Sequence, residues 1–335
     1  MGKKKVLLTG ASGTIGKETF KELLKKTDEY DISLFLRDSR KNKKLFKPYF
    51  RKIKIFWGTL QNYEEVKEAV NGQDVVIHVA GALPDLTFKT PELVVSTNVG
   101  GTQNVLKAML SQQNHTKIIY TSSVHVYGDR RKNPIIKISD PIDHTSNDAY
   151  GSSKIKAEEL IKESKLEYCI FRVSYVISTN IIRLRPIMFF IALDTKVEAI
   201  HAKDVGLALV NAIDSNKIWN NVFNLGGGKK CQIEFKDNVN DMFKIIGFGK
   251  NFLPNEAFSK EHSHCGFFDA QEMREIQNLL RFQRFSLVDF YEEVKKWIGI
   301  KRYLIPLVKP VLRCYILRKS EFYKDYKRNK IKNEK

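Results

Sequence analysis

Short apolar runs alternate with amphipathic stretches through the first half of the chain. Lys5-Val-Leu-Leu-Thr9 reads as a buried strand, and Lys17 to Lys26 as a helical run. The same alternation predicts strands over Ile32–Leu36, Lys54–Trp57, Asp74–Gly81, Lys117–Ser123 and Glu167–Val173. Helices are expected over Asn62–Val70, Leu93–Leu110 and the segment that carries Tyr150 and Lys154. The strand runs are apolar throughout, with no period of two, as in strands covered on both faces. Strand–helix units in series therefore predict an α/β fold with a parallel sheet. After Val173 the rhythm fades. Residues 174–197 and 229–300 are expected to form a smaller C-terminal substrate lobe, while segments near 198–228 complete the sheet.

Composition refines this picture. The chain has 335 residues, of which 42% are hydrophobic, enough for a sizeable core. Its formal charge of +19 is uneven: residues 301–335 hold twelve Lys or Arg against Glu321, Asp325 and Glu334, hence +9. That stretch interleaves apolar residues with cations. It reads either as a membrane-surface anchor or as a final helix packed on the lobe, with Pro306 and Pro310 limiting regular helix. A second basic cluster runs from Arg40 to Lys54. Lysine bias accounts for much of the excess, and no nucleic-acid partner is expected. The four cysteines are scattered without a C-x-x-C pair, which suits a reducing cytosol. His262-Ser-His264-Cys265 lacks further spaced ligands, so no metal is expected. The apolar run after Lys5 is too short for a signal peptide, and no stretch reaches the roughly 18 apolar residues of a membrane span. A cytoplasmic protein is expected, membrane-associated if the tail is an anchor.

Three features carry candidate chemistry. Gly10-Ala-Ser12-Gly13-Thr14-Ile15-Gly16 lies between the first strand and the first helix, where a phosphate-binding turn belongs. The glycines let the backbone approach a pyrophosphate, which rests on the helix N-terminus. Residues 1–173 are thereby expected to be an NAD(P)-binding domain of Rossmann type. Arg37 ends the second strand, about 20 residues beyond Gly16, where an acid would serve NAD and an Arg would accommodate the 2′-phosphate of NADP. NADP is favoured over NAD, with Asp38 able to take the acid's role. Ser122 and Ser123 end the fifth strand, at the sheet edge where ligands bind. Tyr150 and Lys154 are four apart on a helix, so an ammonium can sit beside a phenol and lower its pKa of about 10. His78 lies inside a strand and reads as core.

These motifs resemble one family. Thr9-Gly10-x-x-Gly13-x-x-Gly16, Asn98, Ser122-Ser123-x-x-Val126-Tyr127-Gly128, Tyr150-x-x-x-Lys154 and Ile200-His201 stand in the order of the extended short-chain dehydrogenase/reductases, the NAD-dependent epimerase/dehydratase family. The resemblance covers about residues 4–300. It implies Tyr150 as general acid/base, Lys154 lowering its pKa and holding the nicotinamide ribose, Ser123 bonding the reacting oxygen, and Asn98 supporting a relay water. Ala80 joins the glycine turn and Arg37 among the cofactor residues. His125 and Ser122 are assigned to the substrate.

Departures from the family pattern matter too. His125 stands where sugar dehydratases carry an acid, which disfavours dehydration. Val197 replaces an Arg that grips a diphosphate, and Lys196, Arg183 or Arg185 could substitute. The resemblance thus implies an NAD(P)-dependent oxidoreductase or epimerase of a secondary alcohol or ketone, on a sugar or nucleotide sugar, acting as a homodimer. A lipid- or steroid-like alcohol is the alternative substrate, with the apolar run Pro186–Ala192 either lobe core or pocket wall. A non-catalytic NADP sensor is the alternative role.

Overall fold

A computed structural model describes residues 2–82, 90–112, 115–145, 148–181, 186–260 and 265–333. The strand–helix series comprises β1 (Lys4–Thr9), α1 (Thr14–Leu24), β2 (Tyr30–Leu36), α2 (Arg40–Phe46), β3 (Lys54–Trp57), α3 (Tyr63–Val70) and β4 (Val75–His78). It continues through α4 (Pro91–Val95), α5 (Gly101–Leu110), β5 (Lys117–Ser123), β6 (Ile135–Ile136), α6 (Ala149–Glu163) and β7 (Tyr168–Val173). Then follow β8 (Tyr175–Ile177), β9 (Lys196–His201), α7 (Ala202–Ala212), β10 (Asn221–Leu225), β11 (Gln232–Glu234) and α8 (Phe235–Ile246). The last elements are β12 (Phe267–Phe268), α9 (Ala270–Leu280), α10 (Leu287–Ile298), α11 (Ile305–Leu317) and α12 (Glu321–Asn333).

Among the described residues, seven strands form one parallel sheet in the order β10-β7-β5-β4-β1-β2-β3. The chain starts in the middle, winds to one edge, returns and winds to the other, which is the doubly wound Rossmann topology. Alternate strand residues serve opposite layers. Val6, Leu8, Ile77, Ile119 and Phe171 enter one core; Leu7, Val76, Ile118, Tyr120 and Ile170 enter the other, against Val66 and Val70 of α3 and Val105 and Met109 of α5. On the first face α1 and α7 cross so closely that a Cβ on Gly206 would lie 2.7 Å from the Glu18 carbonyl carbon.

The structure departs from the sequence reading in three places. The helix expected over 93–110 is broken by a π turn, Ser96–Gly100, which carries Asn98. Segment 198–228 splits: β10 completes the large sheet, but β9 pairs with β8 and β11 in a separate three-stranded sheet of the lobe. Its Glu198 explains the separation, since this buried carboxylate accepts the amides of Gly228 and Phe268 and the side chain of Gln232. The prolines of the tail do not prevent a helix. Pro306 occupies the first turn of α11, where the missing N–H is no loss, and Pro310 is exposed, so the carbonyl it leaves unpaired can bond water.

The apolar run Pro186–Ala192 is lobe core: Phe189 is buried against Phe258, and Phe190 meets Phe322 of α12. Among the described residues no helix is long and apolar enough to cross a membrane, and no cluster could hold a metal. The cysteines Cys169, Cys231 and Cys265 are buried as free thiols and Cys314 is exposed. His262 and His264 lie outside the described residues, as do Arg183 and Arg185.

Candidate active site

β1 and β4 are the neighbouring strands at which the winding reverses, and a crevice opens beyond their carboxyl ends. Gly10 leaves β1 with φ +75°, a conformation L side chains rarely adopt. A Cβ there would fall 2.7 Å from the Cα of Ala80, just past β4. One on Gly16 would fall 2.1 Å from the Gly10 carbonyl oxygen. Gly13 precedes α1 and offers no side-chain cap, so the first-turn amides at Thr14 and Ile15 are left for an outside acceptor. Ser12, half-buried, completes the turn. These residues fit a dinucleotide pyrophosphate: the cradle exists only because side chains are missing from it.

Opposite the turn, α6 delivers Tyr150 and Lys154. Its N-cap is Asp148, whose carboxylate accepts the Tyr150 and Gly151 amides, each at 3.0 Å. The same carboxylate holds His125 Nδ1 at 2.9 Å. The His125 ring meets the Tyr150 ring edge-on, with centroids 5.1 Å apart. The Ser123 hydroxyl accepts the His125 amide at 3.3 Å and sits near enough to the Tyr150 phenol to oppose the rise of its pKa. The structure therefore brings Ser123, His125, Tyr150 and Lys154 together.

Lys154 is buried. Its ammonium donates to the Thr121 carbonyl at 2.8 Å and the Tyr120 hydroxyl at 3.1 Å, and lies 5.9 Å from the Tyr150 ring centroid. Gly81 leaves room beside it: a Cβ there would be 3.6 Å from Lys154 Nζ and 3.0 Å from Asn98 Oδ1. Asn98 pins this corner by accepting the Ala82 amide at 2.7 Å and donating to Ser153 Oγ at 2.9 Å. His78 is core as expected, bonded to Thr9 at 2.8 Å and Thr102 at 3.1 Å, and burial drives its pKa down to about 3, so it stays neutral.

Burial also governs the charges of the pair. It pushes the Tyr150 phenol up to about 12; the Ser123 hydroxyl pulls the other way, and the Asp148 carboxylate adds to the rise. Lys154 is pulled down to about 8 by the same loss of water, with Glu158 one turn on resisting. The expected depression of the phenol by Lys154 is thus not in force in this arrangement, because the ammonium faces Thr121 and Tyr120.

Ser122 does not reach this site. Adjacent residues on a strand face opposite ways, and its hydroxyl donates to Glu158 at 2.5 Å, inside the core. Contrary to the expectation from sequence, Ser122 therefore faces the core and not a substrate. Glu158 in turn grips Arg172 through both oxygens, Nε at 3.0 Å and Nη2 at 2.8 Å. Arg172 Nη1 reaches the Tyr127 hydroxyl at 2.8 Å, which passes to Asn224 at 2.8 Å. Val197 is fully buried in the core, and Lys196 pairs with Glu234 at 2.6 Å. Arg37 is exposed; beside it Asp38 pairs with Lys43 at 2.7 Å.

Sequence reasoning missed Tyr120, Gly81 and Asp148. Only Asp148 left a signal, an acid directly before a helix.

Curated relatives match part of the chain. An N-acetyl-alpha-D-glucosaminyl-diphospho-ditrans,octacis-undecaprenol 4-epimerase of Escherichia coli O157:H7 is 36% identical over 160 residues, covering 47% of this chain and 43% of that protein. A UDP-glucose 4-epimerase of Rickettsia massiliae (strain Mtu5) is 30% identical over 130 residues, 37% of this chain and 38% of that protein. The chain thus matches less than half the length of these relatives. A structure of UDP-glucuronic acid 4-epimerase from Bacillus cereus, in complex with UDP-glucuronic acid and NAD, superposes with a TM-score of 0.71 at 21% identity, over 88% of this chain and 98% of that one. The UDP-Glc/GlcNAc 4-epimerase of Campylobacter jejuni gives 0.69 at 20% identity, over 88% and 99%. At such identities the likeness shows the fold. Residues 6–226 match the profile described as the NAD dependent epimerase/dehydratase family.

Proposed function

The chain belongs to the NAD dependent epimerase/dehydratase family, and from that premise we propose that it redox-cycles or epimerises a secondary alcohol on a sugar or nucleotide sugar. The observation that carries this reading is the gathering of Ser123 and His125 around the Tyr150 ring, with the buried Lys154 ammonium one turn along the same helix, 5.9 Å from that ring's centroid. A bound nicotinamide dinucleotide supplies the hydride acceptor or donor. Gly10, Ser12, Gly13, Thr14, Ile15 and Gly16 would hold its pyrophosphate, with Ala80 beside them and Lys154 at the nicotinamide ribose.

The chain's own residues handle the proton. With its pKa near 12, the Tyr150 phenol is protonated at neutral pH and suited to donate to a carbonyl oxygen held by Ser123. To accept a proton it needs the Lys154 charge closer than the present 5.9 Å between the ammonium and the Tyr150 ring centroid. Asp148 and His125 orient the start of the helix. His125 lines the substrate side of Tyr150 as a positioning group. The burial of Val197 means that any substrate diphosphate must be gripped by other cations.

The copurifying cofactor, identified by mass spectrometry, followed by a screen of sugar nucleotides and apolar alcohols for turnover, tests this reading. Tyr150→Phe should lower turnover by about 10²–10⁴-fold while cofactor affinity is kept. A partner-dependent role that survives unchanged in this variant, with no turnover in either form, would favour a non-catalytic dinucleotide sensor.

NADP is the preferred coenzyme in this reading, because Asp38 is drawn to Lys43 while Arg37 stays exposed. Arg37→Asp should cost NADP affinity on the order of tenfold or more and shift the preference to NAD. An unchanged ratio of the two affinities would mean that Arg37 does not select the coenzyme.

A further inference from the structure

Helix α11 has two apolar faces, and the fold uses one. Ile305, Leu312 and Ile316 pack on the lobe, and the turn into α12 is locked by Ser320, whose buried hydroxyl donates to the Ala257 carbonyl at 2.6 Å. The opposite stripe, Leu307, Val311 and Cys314 with Val308 and Tyr315, follows helical spacing yet is exposed, Leu307 at 79% and Val311 at 72%. Ile300 and Leu304, just before the helix, extend it at 81% and 60%. Such a contiguous patch on an ordered surface marks a docking face.

Charge selects the occupant. Residues 301–335 carry +9, twelve cations less three acids, and this charge surrounds the stripe and fills α12. A second copy docked on the same face would bring an equal +9 against it, so self-association is opposed. An anionic surface is attracted. We propose that the α11–α12 unit is a membrane-surface dock, seating Ile300, Leu304, Leu307 and Val311 in the interface of an anionic bilayer while the lysines and arginines contact lipid headgroups. The dock lies flat on the bilayer, since no described helix can cross it. It is independent of the chemistry assigned to Tyr150.

The full chain should co-sediment with vesicles of phosphatidylcholine and phosphatidylglycerol but not with phosphatidylcholine alone, and 0.5 M NaCl should weaken binding by on the order of tenfold. L307E/V311E should lower the affinity at least about tenfold, with an unchanged melting temperature because both positions are exposed. Cys314 allows a second readout. It is the exposed thiol among three buried ones, so an environment-sensitive dye placed there should shift to the blue on adding anionic vesicles. Equal binding to both vesicle types, unchanged binding of L307E/V311E, a dye that does not respond, or an oligomer that L307E/V311E dissociates would each overturn the proposal.

Discussion

Two buried charges lie one turn apart on α6 and are treated in opposite ways. Glu158 meets Arg172 through two oxygens and also accepts from Ser122, so its charge is answered on every side. Lys154 meets a carbonyl and a phenol, both neutral, and its pKa falls to about 8. The first arrangement completes itself; the second leaves a charge that gains from an added partner. A functional site and a structural network can thus share one helix and be told apart by whether the charge is compensated.

Breaking the complete network should have the largest effect on stability. Glu158→Gln leaves the Arg172 guanidinium buried with only half its partners. A loss of about 3–5 kcal/mol is expected from chemical denaturation. The variant should also move Lys154, because Glu158 is the charge that resists its fall. In whatever fraction folds, Lys154 should titrate below about 8. If Glu158→Gln is as stable as the parent, the network is ornamental and the contrast with Lys154 collapses.

The sequence made these two residues legible to very different degrees. Lys154 could be named because the Tyr-x-x-x-Lys spacing is local and a helix converts spacing into a shared face. The Glu158 network could not, because Ser122, Tyr127, Arg172 and Asn224 come from four segments that only the fold brings together. The parallel sheet was readable in its apolar runs, and β3 and β5 begin and end where those runs do. Gly81 and Tyr120 needed three dimensions. So did the separate sheet around β9, since an apolar strand does not announce its neighbours, and the buried Glu198 that directs it there looks from sequence like an exposed residue.

A smaller effect, with a definite pH signature, is expected at Lys154. Its pKa is lowered on folding, from 10.5 to about 8. Between those values the unfolded chain binds more protons than the folded one, so this group makes stability rise with pH. Below about 8 both states hold the proton and the cost of burying the charge is full; above about 10.5 it is gone. Relative to Lys154→Met, the parent should therefore gain on the order of 1–3 kcal/mol as pH rises through this window. Tyr150, raised to about 12, contributes the opposite slope at higher pH in both proteins and cancels in the difference. Parallel stability curves for the two proteins from pH 7 to 10.5 would mean that Lys154 is solvated after all.

The smallest effect is expected at Lys162, and it tests whether geometry or burial separates the two cases. Lys162 also faces Glu158, one turn further along α6, with Nζ 3.6 Å from Oε2. By distance alone it resembles a member of the network. Its side chain is 38% exposed, however, against 4% for Arg172. Water already serves the ammonium, so the pair gains little from closing and can be lost without stranding a charge. Lys162→Ala should change stability by no more than about 0.5 kcal/mol, and high salt should leave the difference between variant and parent near zero. A loss approaching that of Glu158→Gln would mean that Glu158 needs both cations. The burial contrast between Arg172 and Lys162 would then carry no energetic weight.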